Sequence, residues 1–100
     1  MILADYILAS NVKDDILFRA VFEGATGEEC AQILERVCER LPSIKPLLAR
    51  ETDELSGGEI ALTLIAGILV DGRKSSITEE FTAPLSTRAK KEVEYAISRA

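Results

Sequence analysis

Histidine is absent from this 100-residue chain, and so is tryptophan. Losing histidine removes the imidazole base of the usual Ser-His-Asp and Cys-His nucleophile systems. It also leaves no imidazole to complete a zinc site, and the two cysteines match no zinc spacing. On one helix Cys30 and Cys38 would stand about 12 Å apart at 1.5 Å rise per residue, beyond the roughly 7 Å Cα limit for a disulfide. Reduced thiols in a reducing compartment follow. Only five residues are aromatic, so the core is built mainly of Ile, Leu, Val and Ala. The longest uncharged run, Ile60 to Val70, holds 11 residues, whereas a membrane-spanning helix needs roughly 20. Met1-Ile2-Leu3-Ala4-Asp5 lacks the basic start and apolar core of a signal peptide. These absences predict a cytoplasmic protein with no membrane partner.

The charge is −5, from 17 acids and 12 bases. Residues 1–50 carry eight acids and six bases, and residues 51–100 carry nine and six. No basic stripe forms, which argues against a nucleic-acid partner. With 47% hydrophobic residues the chain can fill a core, and its length suits a single domain over residues 1–100.

Residues 2–9 suit a strand or one or two helical turns, and Ser10 to Asp15 read as a polar turn. Ile16, Phe18, Ala20 and Phe22 alternate with Arg19 and Glu23, which predicts a half-buried strand paired with the first as a hairpin. Gly24-Ala25 breaks it. Thr26 and Glu29 then form a capping box. Cys30, Ile33, Leu34, Val37, Cys38 and Leu41 follow as one apolar helical stripe, which Pro42 ends. Ser43 to Pro46 connect, residues 47–52 are open between a strand and a helical turn, and Asp53 to Gly58 form a loop.

The run from Glu59 to Val70 reads two ways. Ser56 and Glu59 make a second capping box and favour a helix. Asp71-Gly72 favours a strand closing into a hairpin, with Ser75 to Thr82 returning and Ile77 and Phe81 inward. Gly67 also disfavours a helix, by roughly 1 kcal/mol relative to Ala. Strand is the preferred reading. Ser86 or Thr87 caps a last helix with Ala89, Val93, Ala96, Ile97 and Ala100 as its apolar side. The expected fold is α+β: a two-layer sandwich, an antiparallel sheet of two hairpins with two amphipathic helices on one face. The alternative is an all-α bundle in which boxes at Thr26, Ser56 and Ser76 each start a helix.

Leu55-Ser56-Gly57-Gly58-Glu59 resembles the signature motif of ABC-type and SMC-type ATPases. In those families the serine and glycine amides hold the γ-phosphate of a partner's nucleotide. The resemblance covers five residues. The G-x-x-x-x-G-K-[ST] phosphate loop of the same families is missing from the sequence. A strand ending in Asp-Glu should follow the signature helix, yet Asp71 is followed by Gly72. On the residues alone the stretch reads as a Gly-Gly turn entering the central run. Were it a helix start, Ser56, Gly57 and Gly58 would offer free N–H groups to an anion, with Arg73 and Lys74 as candidate neighbours.

The acid pairs Asp14/Asp15, Glu28/Glu29, Asp53/Glu54 and Glu79/Glu80 are adjacent in sequence. Such side chains diverge, so turns and wet faces account for them better than acid–base chemistry. No catalytic residue, metal ligand or cofactor is assigned. The preferred reading is a non-enzymatic protein-interaction or assembly module whose partner is another protein or a second copy of itself. Its expected interface is the open side of the sheet at Thr63, Ile65 and Leu69, with the hairpin edge Ile77 to Phe81. A small-ligand or nucleotide-binding regulatory domain comes second, and an enzyme subunit active only with partner chains third.

Overall fold

The computed structural model describes residues 2–99 and places no strand among them. Its helices are α1 (Val12–Phe22), α2 (Gly27–Arg40), α3 (Gly57–Val70), the single turn α4 (Glu79–Thr82) and α5 (Thr87–Arg99). Tighter 3-10 turns lie at Leu3–Tyr6, Pro42–Leu47, Thr52–Glu54 and Lys74–Ser76. The α+β sandwich is therefore wrong, and the fold is a helical, bundle-like one. Neither expected hairpin exists. The extended pairing among the described residues is one isolated antiparallel bridge, Asn11 with Glu51.

The polar cluster read as a turn is the start of α1. Asn11 stands at the N-cap, where its side chain accepts from the Asp14 N–H at 2.9 Å. Asp14 and Asp15 occupy the first turn, the end where the helix dipole favours negative charge. The Asp15 carboxylate also accepts from the N–H groups of Leu8 and Ala9, at 2.7 and 3.0 Å, and so ties down the preceding segment. Burial nevertheless pushes the Asp15 carboxyl above its ordinary range, against the pull of those two bonds. The alternation from Ile16 to Phe22 hid a helical spacing: Val12, Ile16 and Leu17 are buried, whereas Phe18, Val21 and Phe22 are exposed.

Gly24 and Gly72 each close a helix, which at Gly72 is why the second hairpin failed. Their φ angles are +95° and +72°. Each donates its N–H to the carbonyl three residues back, Val21 at 3.0 Å and Leu69 at 3.1 Å. The following residue donates to the carbonyl five back, Ala25 to Ala20 at 2.9 Å and Arg73 to Ile68 at 3.0 Å. This paired bonding closes an α-helix through one left-handed residue. A tight hairpin turn requires positive φ as well, so Asp71-Gly72 is equally suited to end a helix.

With both capping boxes formed, α2 and α3 start at Thr26 and Ser56 as expected of helices. The third box does not start one: Ser76 ends a 3-10 turn, and α4 begins after Thr78 with no side-chain cap bond. Ser86 caps α5, its Oγ accepting from the Ala89 N–H at 3.2 Å. Ala100 lies outside the described residues.

Six consecutive residues of α3, Ala61 to Ala66, are buried. A helix apolar on every side belongs in a core. Ala61, Leu62, Ile65 and Ala66 share one cluster with Val12 and Ile16 of α1, Val37 of α2, Leu41, Ile44, and Ala89, Val93 and Ala96 of α5. Each large side chain so buried contributes about 1.5–3 kcal/mol, enough to offset what Gly67 costs. Ser43 fastens α5 to the turn after α2, its N–H and Oγ donating to the two oxygens of Glu92 at 2.9 and 2.6 Å. Among the described residues no helix is long and apolar enough to cross a membrane.

Candidate functional site

The start of α3 is where sequence chemistry and geometry meet. Ser56 is extended, with φ −69° and ψ 167°, and its Oγ accepts from the Glu59 N–H at 3.2 Å. The Glu59 carboxylate accepts from the Ser56 N–H at 2.9 Å. The Ile60 N–H goes to the Ser56 carbonyl at 2.9 Å. Gly57 and Gly58 are thereby left as the two amides of the first turn whose N–H groups no cap satisfies. Adjacent N–H groups at the positive end of a helix are suited to an oxyanion.

Three further contacts shape the site. The Ser56 amide holds the Glu59 carboxyl below its ordinary range against the opposing effect of burial, with a lesser contribution from Arg50. Arg50 lies 3.5 Å from Glu59 and also donates to the Glu54 carbonyl at 3.1 Å, bracing the loop that leads into α3. The third contact is at Gly58, where an added Cβ would lie 2.8 Å from the Pro84 carbonyl oxygen, while one at Gly57 would meet nothing within 4 Å. Ser43, Ser56, Gly58, Glu59, Pro84 and Ser86 border an open cleft of about 500 Å³ here.

Arg73 and Lys74 do not join this site. They follow the other end of a 14-residue helix, about 20 Å away, and the Lys74 Nζ donates to the Ile97 carbonyl at 3.3 Å. The expected interface also lacks its sheet. Thr63 and Ile65 are completely buried, and the Thr63 hydroxyl donates to the Glu59 carbonyl one turn back at 2.9 Å. Leu69, Ile77 and Phe81 pack, partly buried, against the same core. The apolar surface missed in the sequence is Phe18, Val21 and Phe22 of α1. Its signal was the i, i+3, i+4 spacing, once α1 is recognised as a helix.

Other chemistry is sparse. Both cysteines are free, and burial pushes the Cys38 thiol up, away from the reactive thiolate. The carboxylates of Glu51, Asp53 and Glu54 gather within 4.8 Å of one another, all exposed. After α3 the backbone runs extended through Ile77 and Thr78, and the acid pair Glu79-Glu80 opens α4.

Comparison with known proteins finds relatives across most of the chain. It is 36% identical over 91 residues to a protein of Synechocystis sp. provisionally named as an ABC transporter ATP-binding protein, a match covering 89% of this chain and 31% of the relative. Two proteins of Streptococcus agalactiae, serotypes V and III, carry the same provisional name. They are 32% and 31% identical over 89 residues, covering 89% of this chain and 16% of each relative. The chain thus spans about a third of the first relative and a sixth of the other two. No protein-family model and no solved structure matches it.

Proposed function

We propose that this chain supplies the signature-motif portion of an ABC-type ATPase and contacts ATP held on a second nucleotide-binding polypeptide. The observation that carries the reading is the placement of Leu55-Ser56-Gly57-Gly58-Glu59. The motif forms the capped start of a buried helix, with the Gly57 and Gly58 amides uncommitted. Those amides and the Ser56 hydroxyl take the γ-phosphate. The dipole of α3 favours the charge, and the core around Ile65 keeps the helix from yielding. The names of the three relatives support the same class. The family sets an Asp-Glu pair at the end of a strand after its signature helix; here Glu79-Glu80 follows two extended residues and opens α4, with no strand before it.

In that family the signature motif acts on a nucleotide bound by its partner, so this segment completes the partner's site. The exposed Phe18, Val21 and Phe22 favour a protein neighbour. The test is a transplant. Residues 2–99 replace the matched segment of the Synechocystis relative, and MgATP hydrolysis is measured beside that of the unaltered relative. Retained hydrolysis supports the reading. A folded, ATP-binding transplant that hydrolyses nothing overturns it.

A further inference from the structure

The two glycines of the motif are neighbours in sequence but not in surroundings. A side chain at Gly57 would point into open space, whereas one at Gly58 would strike the backbone carbonyl of Pro84, which has no rotamer with which to withdraw. Pro84 sits in the short connector between α4 and α5. On one side the connector is held by the Ala83 N–H on the Glu79 carbonyl at 2.8 Å and the Leu85 N–H on the Thr82 carbonyl at 3.1 Å. On the other it is held by buried Leu85 and by the Ser86 cap of α5. A displacement at Gly58 therefore passes through two backbone bonds to the residue carrying the first carboxylate of the Glu79-Glu80 pair.

We infer that Gly58 is a positioning residue. Its missing side chain seats the Pro84 carbonyl, and through it fixes Glu79 and Glu80 relative to the start of α3, whereas a side chain at Gly57 would meet nothing within 4 Å. The functional meaning of this coupling rests on the ATPase reading above, but the coupling itself does not. In that reading, movement at the anion site and movement of the acid pair are one event.

Amide hydrogen exchange on the full chain, without nucleotide, tests it. Gly58→Ala is expected to speed exchange at Phe81, Ala83 and Leu85 by on the order of tenfold or more, leaving protected amides of α1 and α2 within about twofold of the parent. Gly57→Ala should leave all of these within about twofold. An equal rise throughout the chain, no rise at all, or the same pattern from Gly57→Ala would each overturn the inference. Should Gly58→Ala not fold, Gly58→Ala with Pro84→Gly must restore folding by letting the connector retreat, and failure to restore it also overturns the inference. In the transplant, Gly58→Ala should lower MgATP hydrolysis, and hydrolysis within about twofold of the unsubstituted transplant would overturn the functional meaning of the coupling. A transplant that never hydrolyses ATP, beside a positive exchange result, removes the ATPase reading and leaves the coupling standing.

Discussion

Ile65 decides between the two descriptions of the central run. As part of a sheet's open face it would tolerate a charge, and Ile65→Asp would yield a soluble monomer. In the helical fold it is completely buried, packed in the cluster with Val12, Ile16, Leu41 and Val93. Ile65→Ala then removes three carbons from a completely buried site, and such truncations cost about 2–5 kcal/mol. Against a total stability of about 5–15 kcal/mol, the variant stays folded but is visibly weakened. With a urea slope of about 1–3 kcal/mol per M, the unfolding midpoint should fall by roughly 1–3 M. Ile65→Asp buries a charge with no partner, costs several kcal/mol, and should leave the chain unfolded in buffer. Phe22→Ala is the control, since Phe22 is 85% exposed and surface changes usually stay within about 0.5 kcal/mol. Far-ultraviolet circular dichroism against urea reads all three. A folded, soluble Ile65→Asp, or an Ile65→Ala shift no larger than that of Phe22→Ala, would refute the placement of α3 in the core.

Three further predictions concern α3 and its ends. Gly67→Ala should raise stability by about 0.5–1 kcal/mol, since a methyl there meets nothing within 4 Å. Gly72→Ala at φ +72° should lower it by about 1–2 kcal/mol, and thermal melts that reverse this order would contradict the helix-closing role of Gly72. At the other end, the folded Glu59 carboxyl titrates below its ordinary value because the Ser56 amide donates to it. Its contribution is complete above the unfolded value near 4.5 and disappears as pH falls through the depressed folded value. The stability gap between the parent and Glu59→Gln should therefore narrow as pH falls below 4.5, and a gap that widens on acidification would speak against the capping box.

What was legible in the sequence was the chemistry of helix starts. Thr26 with Glu29 and Ser56 with Glu59 formed the bonds their spacing implied, and the stripe from Cys30 to Leu41 turned one face toward the core. The fold class was misread for three local reasons. A helix buried on all sides has no periodicity to separate it from a buried strand. Gly72 satisfies the positive φ of a hairpin and of a helix terminus alike. The alternation from Ile16 to Phe22 placed Phe18 and Phe22 inward, although both are exposed. The motif at Leu55 to Glu59 was visible from the start. Its surroundings were not, because Pro84 approaches Gly58 from 26 positions further along the chain.

The claim that the start of α3 works as a signature motif is tested most directly by one ratio: MgATP hydrolysis by the transplanted Synechocystis relative, divided by that of the same transplant carrying Ser56→Arg. Arginine at the cap fills the space before the Gly57 and Gly58 amides while leaving the core untouched. Loss of oxyanion donors of this kind lowers turnover by on the order of 100-fold or more, and a ratio of that size is the predicted result. A ratio near one, with both proteins folded and binding ATP, would show that hydrolysis does not pass through Ser56, Gly57 and Gly58, and would contradict the account.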